Sequence, residues 1–252
     1  MRDLITAELA GMGRSCGVRT LLAVESGSRC WGFASPDSDY DVRFVYASPL
    51  DDYLRLEKRR DVIEWRLDDV YDVSGWDLSK FMQLMRGSNP SVFEWLVSPI
   101  VYQEAPEFSA IRQLAPHCYN PVASVYHYLS WAQGNARDFL RGDTVKLKKY
   151  LYVMRALLAA RWGVRVGTPV PMEFSVLRES MLEPAMAPVV EAMVAEKMEG
   201  DEKAPHAHIP QADAWIESVF VEIESALDTL RAPEKVAWDE IDEAFRQILK
   251  RV

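Results

Sequence analysis

Two acids, Asp39 and Asp41, stand one residue apart at the head of the strand-forming run DVRFVYA, and a Gly27-Ser28 pair lies ten residues upstream. Side chains at i and i+2 of an extended segment point the same way, so the carboxylates are expected on one strand face, about 6.6 Å apart. At an effective dielectric near ~20 they repel by roughly 2 kcal/mol. The first basic residue after them is Arg43. A cation relieves such repulsion, and hard divalent ions such as Mg2+ take a couple of carboxylate oxygens together with substrate phosphates. Glycine permits a sharp turn, after which backbone N–H groups at a helix start favour an anion, and Arg29 would neutralise phosphate oxygens there. A lone Gly-Ser reads equally as an ordinary strand-to-helix turn, and SPDSDYD alone reads as a solvated polar turn. Together they point to a phosphate and a metal sharing one site.

The elements that must position these residues follow from hydrophobic periodicity. Strand patterns occur at VRTLLAVE, DVRFVYA, DVIEWRL and VYDVSGW, after a short helix at about residues 2–13. LSKFMQLMR places Leu78, Phe81, Met82 and Met85 at helical spacing and stops at Gly87. Asp77 precedes it as a helix cap. From Asn120 onward nearly every pattern is helical. Asn120-Pro121 is a cap followed by a first-turn proline, and further helices are expected at about 144–162 with a stop at Gly163, 184–199, 211–231 and 234–250, the last opened by Pro233. The expected organisation is α+β: an α/β catalytic domain over residues 1–112 and a helical domain over 113–252. EGDEKAPHAHIPQ reads as a polar loop.

Composition narrows the function classes. The chain has 252 residues, is 49% hydrophobic and 27% charged, and carries a formal net charge of −9. These values belong to a packed globular protein, and the acidity disfavours non-specific polyanion binding. DNA is not expected as a partner. No apolar run reaches the roughly 18 residues of a membrane helix, and MRDLITAELAGMG lacks the pattern of a secretory leader, so no membrane partner and a cytoplasmic location are expected. Cys16, Cys30 and Cys118 have neither disulfide nor zinc spacing. His206 and His208 lack a third ligand nearby and read as exposed loop histidines, and Trp31 and Tyr40 read as packing residues before base-stacking ones.

The combination GSRCWGFASPDSDYDVRFVY resembles the DNA polymerase beta-like nucleotidyltransferase superfamily, with Gly27, Ser28, Asp39 and Asp41 matching its signature. GWDLSKFMQLMRGSNPSVFEWLVSPIVY, VKLKKYLYVMRALLAARW and PMEF resemble more narrowly the RNA-repair-pathway-associated bacterial and phage members. The resemblance covers about residues 20–175. It implies a palm holding two Mg2+ ions, with Mn2+ as a substitute, a helical C-terminal region, and transfer of a nucleoside monophosphate from a nucleoside triphosphate with release of pyrophosphate. It also implies a third carboxylate; Asp72 is preferred over Glu64 because it lies in an alternating strand just before a helix. A lysine of the helical region would reach the triphosphate, at Lys148 or Lys149, with Tyr150 beside it. The acceptor implied is an RNA end, while the acidic charge also suits a protein hydroxyl or a small molecule; the runner-up among enzymes is a nucleotidylylating regulator or toxin-like enzyme that modifies a protein side chain or a tRNA. A nucleotide-binding module without turnover is the alternative outside enzymes, and the intact Asp-x-Asp speaks against it.

Overall fold

A computed structural model describes residues 1–36, 38–57, 59–199 and 205–251. The chain divides into two compact units, one of Met1–Cys30, Asp39–Tyr119 and Glu234–Val252, the other of Trp31–Ser38 and Asn120–Pro233. Beyond the division expected near residue 112, one sequence-distant segment joins each unit: Trp31–Ser38 the second and Glu234–Val252 the first.

The first unit is built on five strands: β1 (Arg19–Ser26), β2 (Tyr40–Ala47), β3 (Val62–Leu67), β4 (Tyr71–Asp77) and β5 (Val101–Glu104). Their order is β3-β4-β2-β1-β5. The β2–β4 pair is parallel and the others antiparallel, which makes a mixed sheet. Around it lie α1 (Arg2–Cys16), the short α2 (Gly27–Trp31), α3 (Leu50–Tyr53), α4 (Leu78–Arg86), α5 (Pro90–Val97), α6 (Ser109–Cys118) and, from the chain's end, the helix Trp238–Leu249. Leu21 to Val24 are fully buried because β1 is covered on both faces. Ile5, Leu9 and Met12 of α1 pack with Ala23, Val42, Phe44 and Tyr46 on one side. Leu22, Val24 and Val45 join α4, α5, α6 and the last helix on the other. The architecture is mixed α+β, consistent with a polymerase-beta-like nucleotidyltransferase.

Asp77 caps α4 as its position implies, its Oδ1 accepting from Ser79 N at 2.8 Å. Its other oxygen accepts from the Tyr53 hydroxyl at 2.9 Å and from Ser48 Oγ at 3.3 Å. The last helix opens at Trp238 rather than at Pro233. Before it the chain is tied to α4: Arg86 Nε donates to Val236 O at 2.9 Å, and the Arg86 guanidinium lies 4.1 Å over the Trp238 ring.

The second unit contains α7 (Pro121–Phe139), α8 (Leu147–Arg165), α9 (Phe174–Met181), α10 (Ala187–Glu199) and α11 (Pro210–Ala226), so the Trp238–Leu249 helix is α12. Asn120 caps α7, accepting from Val122 N at 2.9 Å. α8 starts at Leu147, after a two-residue strand β6 (Val145–Lys146) that pairs with β7 (Pro205–His206) inside the expected polar loop. It passes through Gly163 and ends at Arg165. The glycine is a packing residue: a Cβ there would lie 2.6 Å from Val125 Cγ2 of α7. Residues 200–204 of the expected loop lie outside the described residues.

Candidate active site

The register of three strands gathers the acids of the first unit. Ser26 of β1 pairs with Asp41 of β2, and Asp41 pairs in parallel with Asp72 of β4. The two carboxylates meet on one cation. Arg43 Nη2 lies 3.2 Å from Asp41 Oδ1 and 2.6 Å from Asp72 Oδ2, while its Nη1 donates to Asp72 O at 2.8 Å. Arg43 and Asp41, two residues apart on one strand, share a face for the reason that Asp39 and Asp41 were expected to. Asp39 stands just before the strand. Its side chain is exposed and has no hydrogen-bond or ion-pair partner among the described residues, while its carbonyl accepts from Arg29 Nε at 2.9 Å.

Gly27 opens the turn with φ +63°, and a Cβ there would overlap the Asp41 carboxylate, so only a hydrogen at this position lets the acid approach the turn backbone. Ser28 is buried beside it, and the Arg29 guanidinium lies 3.7 Å over the Tyr40 ring. Burial pushes the Asp41 carboxyl up to about 6; Asp39 and Asp72 push the same way, and Arg43 and Arg29 oppose them.

Glu25, which sequence reasoning missed, lies under this group. It is fully buried at the end of β1, accepts Asp41 N at 2.9 Å, and takes a hydrogen bond from the Tyr102 hydroxyl of β5. Burial raises its pKa against the lowering effect of those two donors. A signal existed: a charged residue directly after the buried apolar run Leu21–Val24 needs buried partners. Glu64, the alternative third acid, is instead ion-paired with Arg60 at 2.6 Å, with both side chains largely exposed.

In the second unit, Lys149 Nζ lies 3.7 Å from the Phe139 ring centre and 5.4 Å from that of Tyr152. Partial burial, then Lys148 and Lys146, lowers its pKa. Lys148 beside it is half-buried. Tyr150 is fully buried, and its hydroxyl is engaged by Asp213 and, at 3.1 Å, by His208 Nδ1. The Tyr150 hydroxyl thus ties α8 to α11 within the second unit. His208 also meets Gly142 O at 2.7 Å, while His206 faces Glu196 at 3.6 Å. Trp31 is buried among Phe33, Trp131 and Tyr152.

A family model described as the RNA repair pathway DNA polymerase beta family matches residues 1–247. The chain belongs to that family. A sequence relative is the "Uncharacterized protein YcgL" of Bacillus subtilis (strain 168), 41% identical over 254 residues, covering 100% of this chain and 98% of that protein. Among solved structures, a nucleotidyltransferase-like protein from Exiguobacterium sibiricum matches 89% of this chain and 75% of its own at 10% identity, with a TM-score of 0.31, a likeness too slight to argue from.

Polymerase-beta-like nucleotidyltransferases generally use divalent metal ions, and the donor set fits such an ion. Among the described residues no three His, Cys, Asp or Glu side chains stand as a ready-made cage. Asp41 and Asp72 instead converge on the Arg43 guanidinium, beside an open Asp39 carboxylate and a turn cleared by Gly27. Few hard carboxylate oxygens with room for phosphate oxygens suit Mg2+ better than a closed protein cage does. No described helix is long and apolar enough to cross a membrane.

Proposed function

We propose that this chain transfers a nucleoside monophosphate from a nucleoside triphosphate to an acceptor hydroxyl, with release of pyrophosphate, in a reaction that needs Mg2+ or Mn2+. The observation that carries the reading is the convergence of Asp41 and Asp72, from neighbouring parallel strands, on the Arg43 guanidinium beside the Gly27 turn. Asp39, Asp41 and Asp72 hold the metal ions, two in number by resemblance. Gly27 and Ser28 seat the triphosphate, Arg29 neutralises its oxygens, and Lys148 or Lys149 reaches its far end.

The bound ions neutralise charge on the phosphates and on the attacking and leaving oxygens. The chain's own part is positioning: Glu25 fixes the backbone at Asp41, Gly27 admits the carboxylate to the turn, and Asp72 accepts the proton of the attacking hydroxyl. No covalent nucleophile is required for direct phosphoryl transfer.

The family's description as an RNA repair pathway family supports an RNA end as acceptor. The net charge of −9 favours the second reading, a protein side chain modified by nucleotidylylation. The test is incubation with each α-labelled nucleoside triphosphate, Mg2+ and either total RNA or lysate protein. Label on RNA supports the first acceptor and label on protein the second. No transfer in any combination, by a protein that binds nucleotide, supports the non-catalytic module and contradicts the proposal.

A further inference from the structure

The eight residues Trp31–Ser38, between the Gly27 turn and Asp39, belong to the second unit although both flanking segments belong to the first. The excursion is anchored at both ends. At its start Trp31 and Phe33 are buried; the Arg155 guanidinium lies 4.4 Å over the Trp31 ring, and Phe33 meets Phe174 edge-on at 5.4 Å. At its end Ser35 and Ser38 close a turn on themselves. Ser38 N donates to Ser35 O at 3.1 Å, Ser35 N donates to Ser38 Oγ at 3.0 Å, and the two hydroxyls are 3.0 Å apart.

Lys197 of α10 reaches this turn. Its Nζ donates to Ser35 Oγ at 3.2 Å and to Ser38 Oγ at 3.5 Å, and the residue is 4% exposed. A helix lysine ordinarily runs its stem over apolar surface and keeps the ammonium in water. Burying the ammonium is unfavourable unless polar groups surround it, so a lysine spent on a loop rather than on solvent fixes that loop. The residue after the turn is Asp39, whose carbonyl is held by Arg29.

We infer that Lys197 is a positioning residue for the divalent-ion site: by closing the Ser35–Ser38 turn it fixes where the chain delivers the Asp39 carboxylate. The inference rests on the proposed reading of Asp39 as a metal ligand. Lys197 is placed on the turn rather than on the acids, so its effect on the ion is expected to run through Asp39.

The test is the Mn2+ affinity of the full chain, read from the electron paramagnetic resonance of free Mn2+, with melting curves alongside. Lys197→Met and the double variant Ser35→Ala/Ser38→Ala are expected to weaken Mn2+ binding about tenfold, as loss of supports behind metal ligands does. Lys197→Arg is expected to recover part of that loss. In an Asp39→Asn background, Lys197→Met is expected to change Mn2+ affinity no further. Unchanged affinity in a folded Lys197→Met protein overturns the inference, as does an equal loss with and without the Asp39 carboxylate. Should Lys197→Met fail to fold, the two-serine variant decides, because it removes only two oxygens; wild-type affinity there overturns the inference. A wild-type chain that takes up no Mn2+ removes the metal-site reading itself, and the role of Lys197 with it.

Discussion

Gly27 combines a positive φ with a backbone that the Asp41 carboxylate approaches too closely for any side chain. Gly27→Ala is therefore expected to cost about 1–2 kcal/mol for the left-handed backbone alone, and also to push Asp41 off the turn. Chemical denaturation measures the first effect and Mn2+ titration the second; full Mn2+ affinity in the alanine variant would show that the close approach is dispensable. Asp72 and Asp77, on one strand five residues apart, separate site from scaffold. Asp77→Ala removes a helix cap and the partner of Tyr53 and Ser48, so a loss of about 1–3 kcal/mol with Mn2+ binding intact is expected. Asp72→Ala leaves α4 capped and is expected to melt near wild type while Mn2+ binding falls and turnover stops. The reverse pattern in paired melting and binding assays would show that the third acid is misassigned. The residues of this scale were partly legible in sequence. Gly27, Asp39 and Asp41 form a motif with fixed spacing, and Asp77 sits where a cap must sit. Glu25 was not, because its importance depends on Tyr102, 77 positions away, and on the pairing of β1 with β2.

At the scale of elements, local signals were legible wherever the chain's own neighbours decide the outcome. Asn120-Pro121 announced α7, and the equivalent Asn89-Pro90 heads α5, where Asn89 accepts from Ser91 N at 3.0 Å. Gly163 was misleading because its meaning lies in another helix: α8 continues through it so that α7 can approach. Gly163→Ala, ordinarily a gain in helix propensity, is expected instead to destabilise the chain by about 1–3 kcal/mol through overpacking against Val125. A second substitution, Val125→Ala, is expected to restore part of the loss, and a stabilised Gly163→Ala would contradict the packing account. The junction of α8 and α11 carries a pH dependence. His208 is held by Gly142 O through Nε2 and by Asp213 through Nδ1, contacts that together favour the cation and raise its pKa. A raised folded-state pKa contributes stability fully present below the unfolded value near ~6.5 and lost as pH rises through the folded value. Wild type is therefore expected to lose melting temperature relative to His208→Gln as pH rises across that interval. Parallel pH profiles for the two proteins would remove the contribution.

For the whole molecule, the sequence showed a mixed first part and a helical remainder, and periodicity accounts for both. It did not show that Trp31–Ser38 packs with the second unit or that α12 returns to the first, because such assignments are made by tertiary burial rather than by local pattern. The chain's acidity acts at this scale too. With a net charge of −9 and acids gathered on β2 and β4, a triphosphate is repelled unless a divalent cation accompanies it. The most direct measurement is calorimetric titration of ATP, CTP, GTP and UTP into the wild type and Asp41→Asn, first with Mg2+ and then with a chelator. At least one nucleotide is expected to bind the wild type with Mg2+, with binding lost in chelator and in the equally stable Asp41→Asn variant. Equal affinity in chelator, or an Asp41→Asn variant that binds as the wild type does, would contradict a metal and a triphosphate sharing this site.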